Sequence, residues 1–542
     1  MHFLDFSDPA DRVIPDILRR TAEAQGDVLY LLDEQTSLTY GEVDDLASRH
    51  AGAYADLGIG KGDTVAMLLH NSADMATTSF GVNRLGAIWS PVSTEYRGEW
   101  LGELLSGIKS DVLVVDDDLW KNVAPLNLDF KHVVVRGDVD RVRAEASAGV
   151  TVHALEEFNQ HAHTTANPDL FYGDTNAILW TSGTTGKSKG VMQSHNMWLN
   201  GCGDQNERWR KVQHGERFYC CLPMYNSGGW LMNIYPALIS GNAAGMDKRF
   251  SASTFWDRTR HYQAQHSIVL GTMQLYLFQQ PEQDNDADNP IRTMVMNPVI
   301  VPILEPFMER FGIEFVGGGF GQSEAIGVTL CGSDWPQKPG SAGFVRDDTP
   351  VETKVLGEFD QEIAVGEVGE ICVRPREPYS IFNGYFGEPE LTLESFRNLW
   401  HHTGDLGRMD ADGELWFVDR KKDSTRHKGR NISSFEVEHI ARSFPGVVEV
   451  AAVGIKLEEL ETEEDLLIYV QIDHGADVDP LKFCQYIDAN APYFFVPRYV
   501  AFIDEFPVTP TNKVQKFKLR ERGLPEGVWD RTAEAPDWQP SR

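Results

Sequence analysis

The stretch that most restricts what this chain can become is Ala177-Ile178-Leu179-Trp180-Thr181-Ser182-Gly183-Thr184-Thr185-Gly186-Lys187-Ser188-Lys189-Gly190. An apolar strand runs into a loop of glycines, hydroxyls and lysines. Glycine admits positive φ and close backbone approach, so successive N–H groups can converge on one anion. The hydroxyls add donors and the lysines supply charge. That is the chemistry of a phosphate cradle. Its spacing differs from the common P-loop, because only Thr184 and Thr185 separate Gly183 from Gly186 ahead of the lysine. The plainer alternative is a surface loop rich in Gly, Ser and Thr.

A strand feeding such a loop suits an α/β fold, and the preceding residues agree. Residues 40–57 carry helical apolar spacing, and Thr64-Val65-Ala66-Met67-Leu68-Leu69 reads as a buried strand. Two more cycles follow, Thr78–Leu85 with Gly86-Ala87-Ile88-Trp89, and Trp100–Leu105 with Val112-Leu113-Val114-Val115. Alternation of this kind implies a parallel sheet covered on both faces. The 542 residues exceed one core, so at least two domains are expected. The proline-bracketed acidic run 281–290 reads as a solvated loop. After Phe417 the texture changes: a basic run (Arg420, Lys421, Lys422, Arg426, His427, Lys428) precedes a helical stretch from Phe435 to Phe444. Short strands then follow at Val450–Ile455, Leu466–Ile472 and Tyr499–Ile503. The expected organisation is a large α/β domain over 1–419, a small α+β domain over 420–525, and a surface-lying or frayed tail over 526–542.

Charge narrows the partners. Lys and Arg total 49 against 81 Asp and Glu, a formal charge of −32. Nucleic acid and anionic membranes demand a basic surface, so neither is expected as a partner, whereas a nucleotide can occupy a locally basic pocket. The six cysteines show no CxxC spacing, and Cys220-Cys221 read as small apolar fillers of a strand. The start, Met1-His2-Phe3-Leu4-Asp5, lacks the basic and apolar blocks of a signal peptide, and no apolar run approaches the ~20 residues of a membrane span. The expected address is the cytoplasm.

The Thr-Ser-Gly-Thr-Thr-Gly-Lys-x-Lys-Gly loop resembles the signature loop of the adenylate-forming superfamily, which includes acyl-CoA synthetases, peptide-synthetase adenylation domains and firefly luciferase. Further motifs follow in that superfamily's order, and the resemblance runs from about Thr39 to Gly523. It implies a small β-barrel-like part in the large domain, a mobile small domain, and an ATP site built from Thr181, Ser182, Gly183, Thr184, Thr185, Gly186 and Lys189. To these it adds Gly319, Phe320, Gly321, Gln322 and Ser323. By resemblance Phe320 stacks beside adenine, Ser323 contacts phosphate and Glu324 holds Mg²⁺. An aromatic face suits a base and a hard carboxylate suits Mg²⁺. His402-Thr403-Gly404-Asp405 resembles the ribose motif, in which Asp405 accepts from the sugar hydroxyls and Arg420 reaches the same sugar. A carboxylate offers acceptors and no competing donors to a vicinal diol. His401 and His402 raise a metal reading, but no matching Cys or His spacing accompanies them.

Arg420-Lys421-Lys422-Asp423 resembles the hinge, placed at Lys422, and Lys428, Gly429 and Arg430 fall where CoA ligases line the path of the thiol. The alternative for that basic stretch is a solvated helix start. Pro507-Val508-Thr509-Pro510-Thr511-Asn512-Lys513 resembles the motif whose lysine bridges the attacking carboxylate and the α-phosphate, which assigns that role to Lys513. Asn512 stands where the motif has glycine. Finer texture, such as Tyr96-Arg97-Gly98-Glu99 and Pro497-Arg498-Tyr499-Val500, is most similar to crotonobetaine/carnitine-CoA ligases.

Departures gather at the expected substrate pocket (Tyr225, Asn226, Ser227, Asn297, Gly318, Gly319). Asn226 stands where the superfamily usually has histidine, and Met296-Asn297-Pro298-Val299 replaces a turn of small residues. The resemblance implies AMP-forming activation of a small acid with ATP, Mg²⁺ and CoA, catalysed with Lys513, Glu324 and Ser323. One alternative is a nitrite-activating diazotase on the same fold, with which Arg430 is compatible. Another is a nucleotide-binding protein without turnover, against which Glu324 and Lys513 argue. Loading of a carrier protein is a further option. Small molecules are the expected partners, and a homodimer is compatible with the sequence.

Overall fold

The computed structural model describes residues 4–541 apart from 168, 182–187, 298, 330, 333–337, 421–423, 428–429, 458–459, 474, 508–513 and 515. The chain divides into two compact units. One comprises Met1–Thr94, Leu105–Trp180 and Gly190–Asp419, and the other comprises Glu95–Leu104, Thr181–Lys189 and Arg420–Arg542.

The large unit is built on two seven-stranded sheets. The first has the spatial order Thr151–Ala154, His132–Arg136, Val112–Asp116, Thr64–Leu68, Ile88–Pro91, Thr175–Thr181 and Lys189–Ser194. Its strands pair parallel from Thr151–Ala154 across to Thr175–Thr181. Thr64–Leu68 and Val112–Asp116 are buried at every position, as strands covered on both faces must be. The helix Tyr40–Asp56 starts where Thr39 and Glu42 form a reciprocal capping box, satisfying two N-terminal donors at once. The second sheet runs Phe315–Gly317, Thr293–Asn297, His266–Leu270, Arg217–Cys220, Ala243–Met246, Leu29–Leu32 and Ser37–Thr39. It is parallel except for its last pair. One apolar core joins residues of both sheets, including Val65, Val114, Phe218 and Val295, with Trp89 and Trp230 in ring contact at 4.3 Å. The β-barrel-like part is a five-stranded sheet of Val351–Leu356, Val368–Pro375, Trp400–Met409, Phe396–Arg397 and Leu415–Arg420, of which the first four pair antiparallel. All six cysteines are free and buried, Cys220 and Cys221 among them. Among the described residues no helix is long and apolar enough to cross a membrane.

In the small unit Val447–Leu457 and Leu460–Ile472 pair antiparallel, Tyr499–Phe502 joins parallel, and Trp529–Asp530 closes the sheet. Helices Ser434–Arg442 and Pro480–Asn490 cover a core containing Val437, Ile468 and Phe483. Lys516 Nζ lies 2.6 Å from Glu438 Oε1 and donates to Ser434 Oγ at 2.7 Å. Of the surface-lying and frayed alternatives for residues 526–542, the surface-lying one fits the described residues up to Ser541. Trp529–Asp530 is a strand, buried Arg531 donates to the Pro497 carbonyl, and Ser541 N–H donates to Asp488.

His50, His195 and His266 are sealed in the large unit. His50 meets Asn159 Oδ1 at 2.7 Å, and burial pushes all three down to about 4. Above about pH 6.5 they stay neutral, folded or unfolded. Between about pH 6.5 and 4 the unfolded chain takes up three protons that the fold refuses, so these rings make stability fall as pH is lowered. A melting series from pH 7 to pH 5 is expected to show Tm falling, with up to about three protons taken up on unfolding. A flat profile would show that these rings are already charged in the fold.

Candidate functional site

Ligands of parallel α/β sheets gather outside the carboxyl ends of the strands. Three such ends converge on the expected site. Tyr225–Ser227 follow Arg217–Cys220, Asn297 ends Thr293–Asn297, and Gly318 follows Phe315–Gly317. Gly318 has no room for a side chain, because an added Cβ would lie 3.0 Å from the Met296 carbonyl oxygen and 3.2 Å from Val299 Cγ2.

The segment Gly318–Glu324 is held from several sides. Gly319 N–H donates to Asn297 Oδ1 (2.8 Å), and Phe320 N–H donates to Thr329 Oγ1 (2.7 Å). Gln322 and Ala325 exchange backbone hydrogen bonds, which closes a tight turn. Gln193 Nε2 donates to the Ser323 carbonyl at 2.7 Å. Tyr385 Oη donates to Glu324 Oε1 at 2.9 Å, and that carboxylate together with burial drives the phenol pKa far up. The Phe320 ring stacks on Phe417, with centroids 6.4 Å apart and planes at 24°. Backbone bonds from Asn383 and Phe386 to the carbonyls of Met192 and Gly190 lay the stretch carrying Tyr385 beside Lys189–Ser194.

Asp405 lies in Trp400–Met409 and is buried. Gln322 Nε2 donates to its Oδ2 (2.6 Å) and to the Thr403 carbonyl (2.9 Å), joining the two expected nucleotide motifs. Glu370 supports the turn by accepting Gly404 N–H at 3.1 Å and meeting His402 Nδ1 at 3.0 Å. Gly404 adopts φ 72°, a region glycine enters freely. Cys372 Sγ lies 3.5 Å from the same Nδ1, so Glu370, Cys372 and His402 do cluster despite their separation in sequence. The Arg397 guanidinium stands 3.5 Å from that nitrogen, a permanent cation where a metal ion would have to sit. His401 is buried edge-on against Phe382 at 4.9 Å, a core contact.

At the expected substrate pocket, Asn226 is exposed and begins the short turn Ser227–Gly229. Its loop is tied down by Asn71, whose Nδ2 donates to the Leu222 carbonyl (2.8 Å) and whose Oδ1 accepts Met224 N–H (2.7 Å). Trp230 Nε1 donates to the Met224 carbonyl at 2.7 Å. Of the larger side chains expected beside the substrate, Met296 points into the core with Trp256 and Phe307. Asn297 and Val299 are the ones that face Gly318, as alternation along a strand requires.

Thr181 and Lys189 end and begin the two strands that flank the glycine-rich loop. Ser182, Gly183, Thr184, Thr185, Gly186, Lys422, Lys428, Gly429 and Lys513 lie outside the described residues. Arg420 and Arg430 lie in Leu415–Arg420 and Arg430–Ser433, described there by their backbone. Sequence reasoning passed over Asn71, Gln193, Glu370, Tyr385 and Phe417. Nothing local to Tyr385 marks it as a partner of Glu324.

Comparison with known proteins agrees with this geometry. Residues 18–386 match the family model of the AMP-binding enzymes, and residues 436–513 match the AMP-binding enzyme C-terminal domain. A crotonobetaine/carnitine–CoA ligase of Salmonella typhimurium is 27% identical over 494 residues, covering 89% of this chain and 93% of that protein. The o-succinylbenzoate CoA synthetase of Bacillus subtilis, bound to a product analogue, superposes with a TM-score of 0.78 at 23% identity, covering 94% of this chain and 99% of that one. An amide bond synthetase from Marinactinospora thermotolerans gives a TM-score of 0.79 at 22% identity, covering 93% and 99%. Matched across most of its length, the chain belongs to the AMP-binding enzyme family and is an ATP-dependent, AMP-forming ligase.

Proposed function

We propose that this protein adenylates a small carboxylic acid and transfers the acyl group to the thiol of CoA. The supporting observation is the joined pair of clamps, Gln322 on Asp405 and Tyr385 on Glu324, which fixes the two carboxylates expected to receive ribose and Mg²⁺. CoA is the acceptor in the name of the ligase from Salmonella typhimurium, and an amine is the alternative suggested by the amide bond synthetase.

In this reading Thr181–Gly190 cradles the phosphates, the Phe320 face packs on adenine, and Asp405 with Arg420 holds the sugar. Ser323 contacts phosphate. Mg²⁺ binding commonly needs only one or two protein carboxylates besides phosphate oxygens, and Glu324, oriented by Tyr385, fits that demand. The ion would offset charge on the leaving pyrophosphate. The substrate carboxylate lies among Tyr225, Asn226, Ser227, Asn297, Gly318 and Gly319, and Lys513 bridges it to the α-phosphate. The small domain over 420–525 then turns about Lys422, withdrawing Lys513 and presenting Lys428, Gly429 and Arg430 to the thiol. One site used twice needs such a turn, because the adenylating lysine occupies the space the acceptor needs.

The test is AMP and pyrophosphate release with ATP and Mg²⁺ across short, branched, aromatic and betaine-like carboxylates with CoA, with one arm holding nitrite and an aminoaryl acid. AMP release dependent on a carboxylate and CoA is expected. Turnover with nitrite alone, or none with any acid, would overturn the reading. Asp405→Ala is expected to raise KM for ATP by about tenfold or more, the size of a lost charge-assisted hydrogen bond. The same variant should cease to distinguish ATP from 2′-deoxyATP. Unchanged discrimination would remove Asp405 from the sugar.

A further inference from the structure

Behind the Gly317–Gly319 backbone sits a positive charge with no acid to meet it. Arg210 ends the π-helical turn Gln205–Arg210 and is 1% exposed. Its Nη1 donates to the Met232 carbonyl (3.2 Å), its Nη2 approaches the Met232 sulfur (3.1 Å), and its Nε has no partner. The rings of Trp209 and Phe218 lie 5.7 and 5.3 Å from the guanidinium carbon. Among the described residues no carboxylate pairs with it; the groups in its field include the thiols of Cys202 and Cys220 and the imidazole of His266. Burial lowers its pKa to about 10, so it stays cationic at neutral pH. A buried cation without an anion is costly to a fold, and aromatic faces offset only part of that cost.

A second observation concerns the backbone. Both elements in contact here, Gln205–Arg210 and Trp230–Ile234, are π-helical, a form found mostly as single turns at functional sites. Position links them to the substrate. Trp209 Nε1 fills the space beside Gly317, 2.5 Å from where a Cβ would stand, one residue before Gly318. Met232 follows Asn226 by six residues, through the short turn Ser227–Gly229 and into the π-helical turn Trp230–Ile234.

We infer that Arg210 determines substrate specificity by pairing with a second anionic group of the acid, at the end away from the carboxylate that is adenylated. The inference rests on the reading of Tyr225–Ser227 and Gly318–Gly319 as the substrate pocket. The substrate class is a dianionic acid with its charges at opposite ends, such as a medium-chain diacid or a carboxylated cinnamate. On binding, the guanidinium exchanges its contacts with Met232 for a bidentate pair with an oxyanion, the arrangement its planar fork suits.

The test compares pimelate, suberate and 4-carboxycinnamate with their monomethyl esters, in ATP–pyrophosphate exchange and in calorimetric binding, for the wild type, Arg210→Met and Arg210→Lys. The wild type is expected to favour diacid over half-ester by about tenfold or more in kcat/KM. Arg210→Met should lose or invert that preference, Arg210→Lys should keep part of it, and Tm of Arg210→Met should hold or rise because a desolvated charge is gone. Equal use of diacid and half-ester by the wild type would overturn the inference. So would an Arg210→Met enzyme that loses both alike with a lower Tm, since Arg210 would then be a core-packing residue. If no acid supports exchange, the adenylation reading fails by itself. The role of Arg210 is then decided by calorimetry, where equal binding, or none, of diacid and half-ester overturns it.

Discussion

Lys513→Ala is expected to cut AMP formation by about 10²–10³-fold while leaving thioester formation from a supplied acyl-adenylate nearly intact. Adenylation brings a carboxylate against the α-phosphate, two anions that repel until a cation stands between them. An ammonium held there offsets the repulsion and stabilises charge that grows in the transition state. Once the adenylate exists, the carboxylate has lost its charge and the lysine has no further role in the second step. Measuring both half-reactions on one preparation separates this from general damage, which would lower both. Equal loss would mean that the lysine supports the fold or both steps, and the proposal of one site used twice would fall.

Glu324→Gln is expected to act on the metal. The amide keeps the shape of the side chain and an oxygen for the Tyr385 hydroxyl, yet it removes the charge that a hard cation requires. Several kcal/mol of charge stabilisation at the departing pyrophosphate is about 10²–10³-fold in rate. The diagnostic readout is a Mg²⁺ titration at saturating ATP. The half-saturating concentration should rise steeply in Glu324→Gln and only slightly in Tyr385→Phe, which leaves the carboxylate charged but less firmly oriented. An unchanged Mg²⁺ dependence in Glu324→Gln would take the metal away from this residue.

Both residues were assigned through the resemblance of the motifs that carry them. The loop Thr181–Gly190 is marked by its own chemistry, because a phosphate cradle needs glycine, hydroxyl and lysine within one short turn. The same holds for the parallel sheets: continuous apolar strands such as Val112–Asp116 and capped helices such as Tyr40–Asp56 carry their signals within a few residues. The Pro, Asp and Trp content of residues 526–542 suggests a surface-lying or frayed tail. Up to Ser541 the chain lies on the surface and docks through Trp529–Asp530 and Arg531, because a short strand can borrow its pairing from a sheet already formed.

The chain's own residues therefore determined its class, its nucleotide loops and the order of its motifs, all of which depend on local spacing. Tertiary structure alone decided which side chains orient the chemistry. Tyr385 reaches Glu324 across 61 residues, Gln322 reaches Asp405 across 83, and Gln193 holds Ser323 across 130. Alternation on one strand turned Met296 into the core and left Asn297 facing Gly318. Packing also left Arg210 buried with no acid beside it among the described residues. Such contacts have no local signature, because a hydrogen bond or an unpaired charge is a property of where distant segments meet.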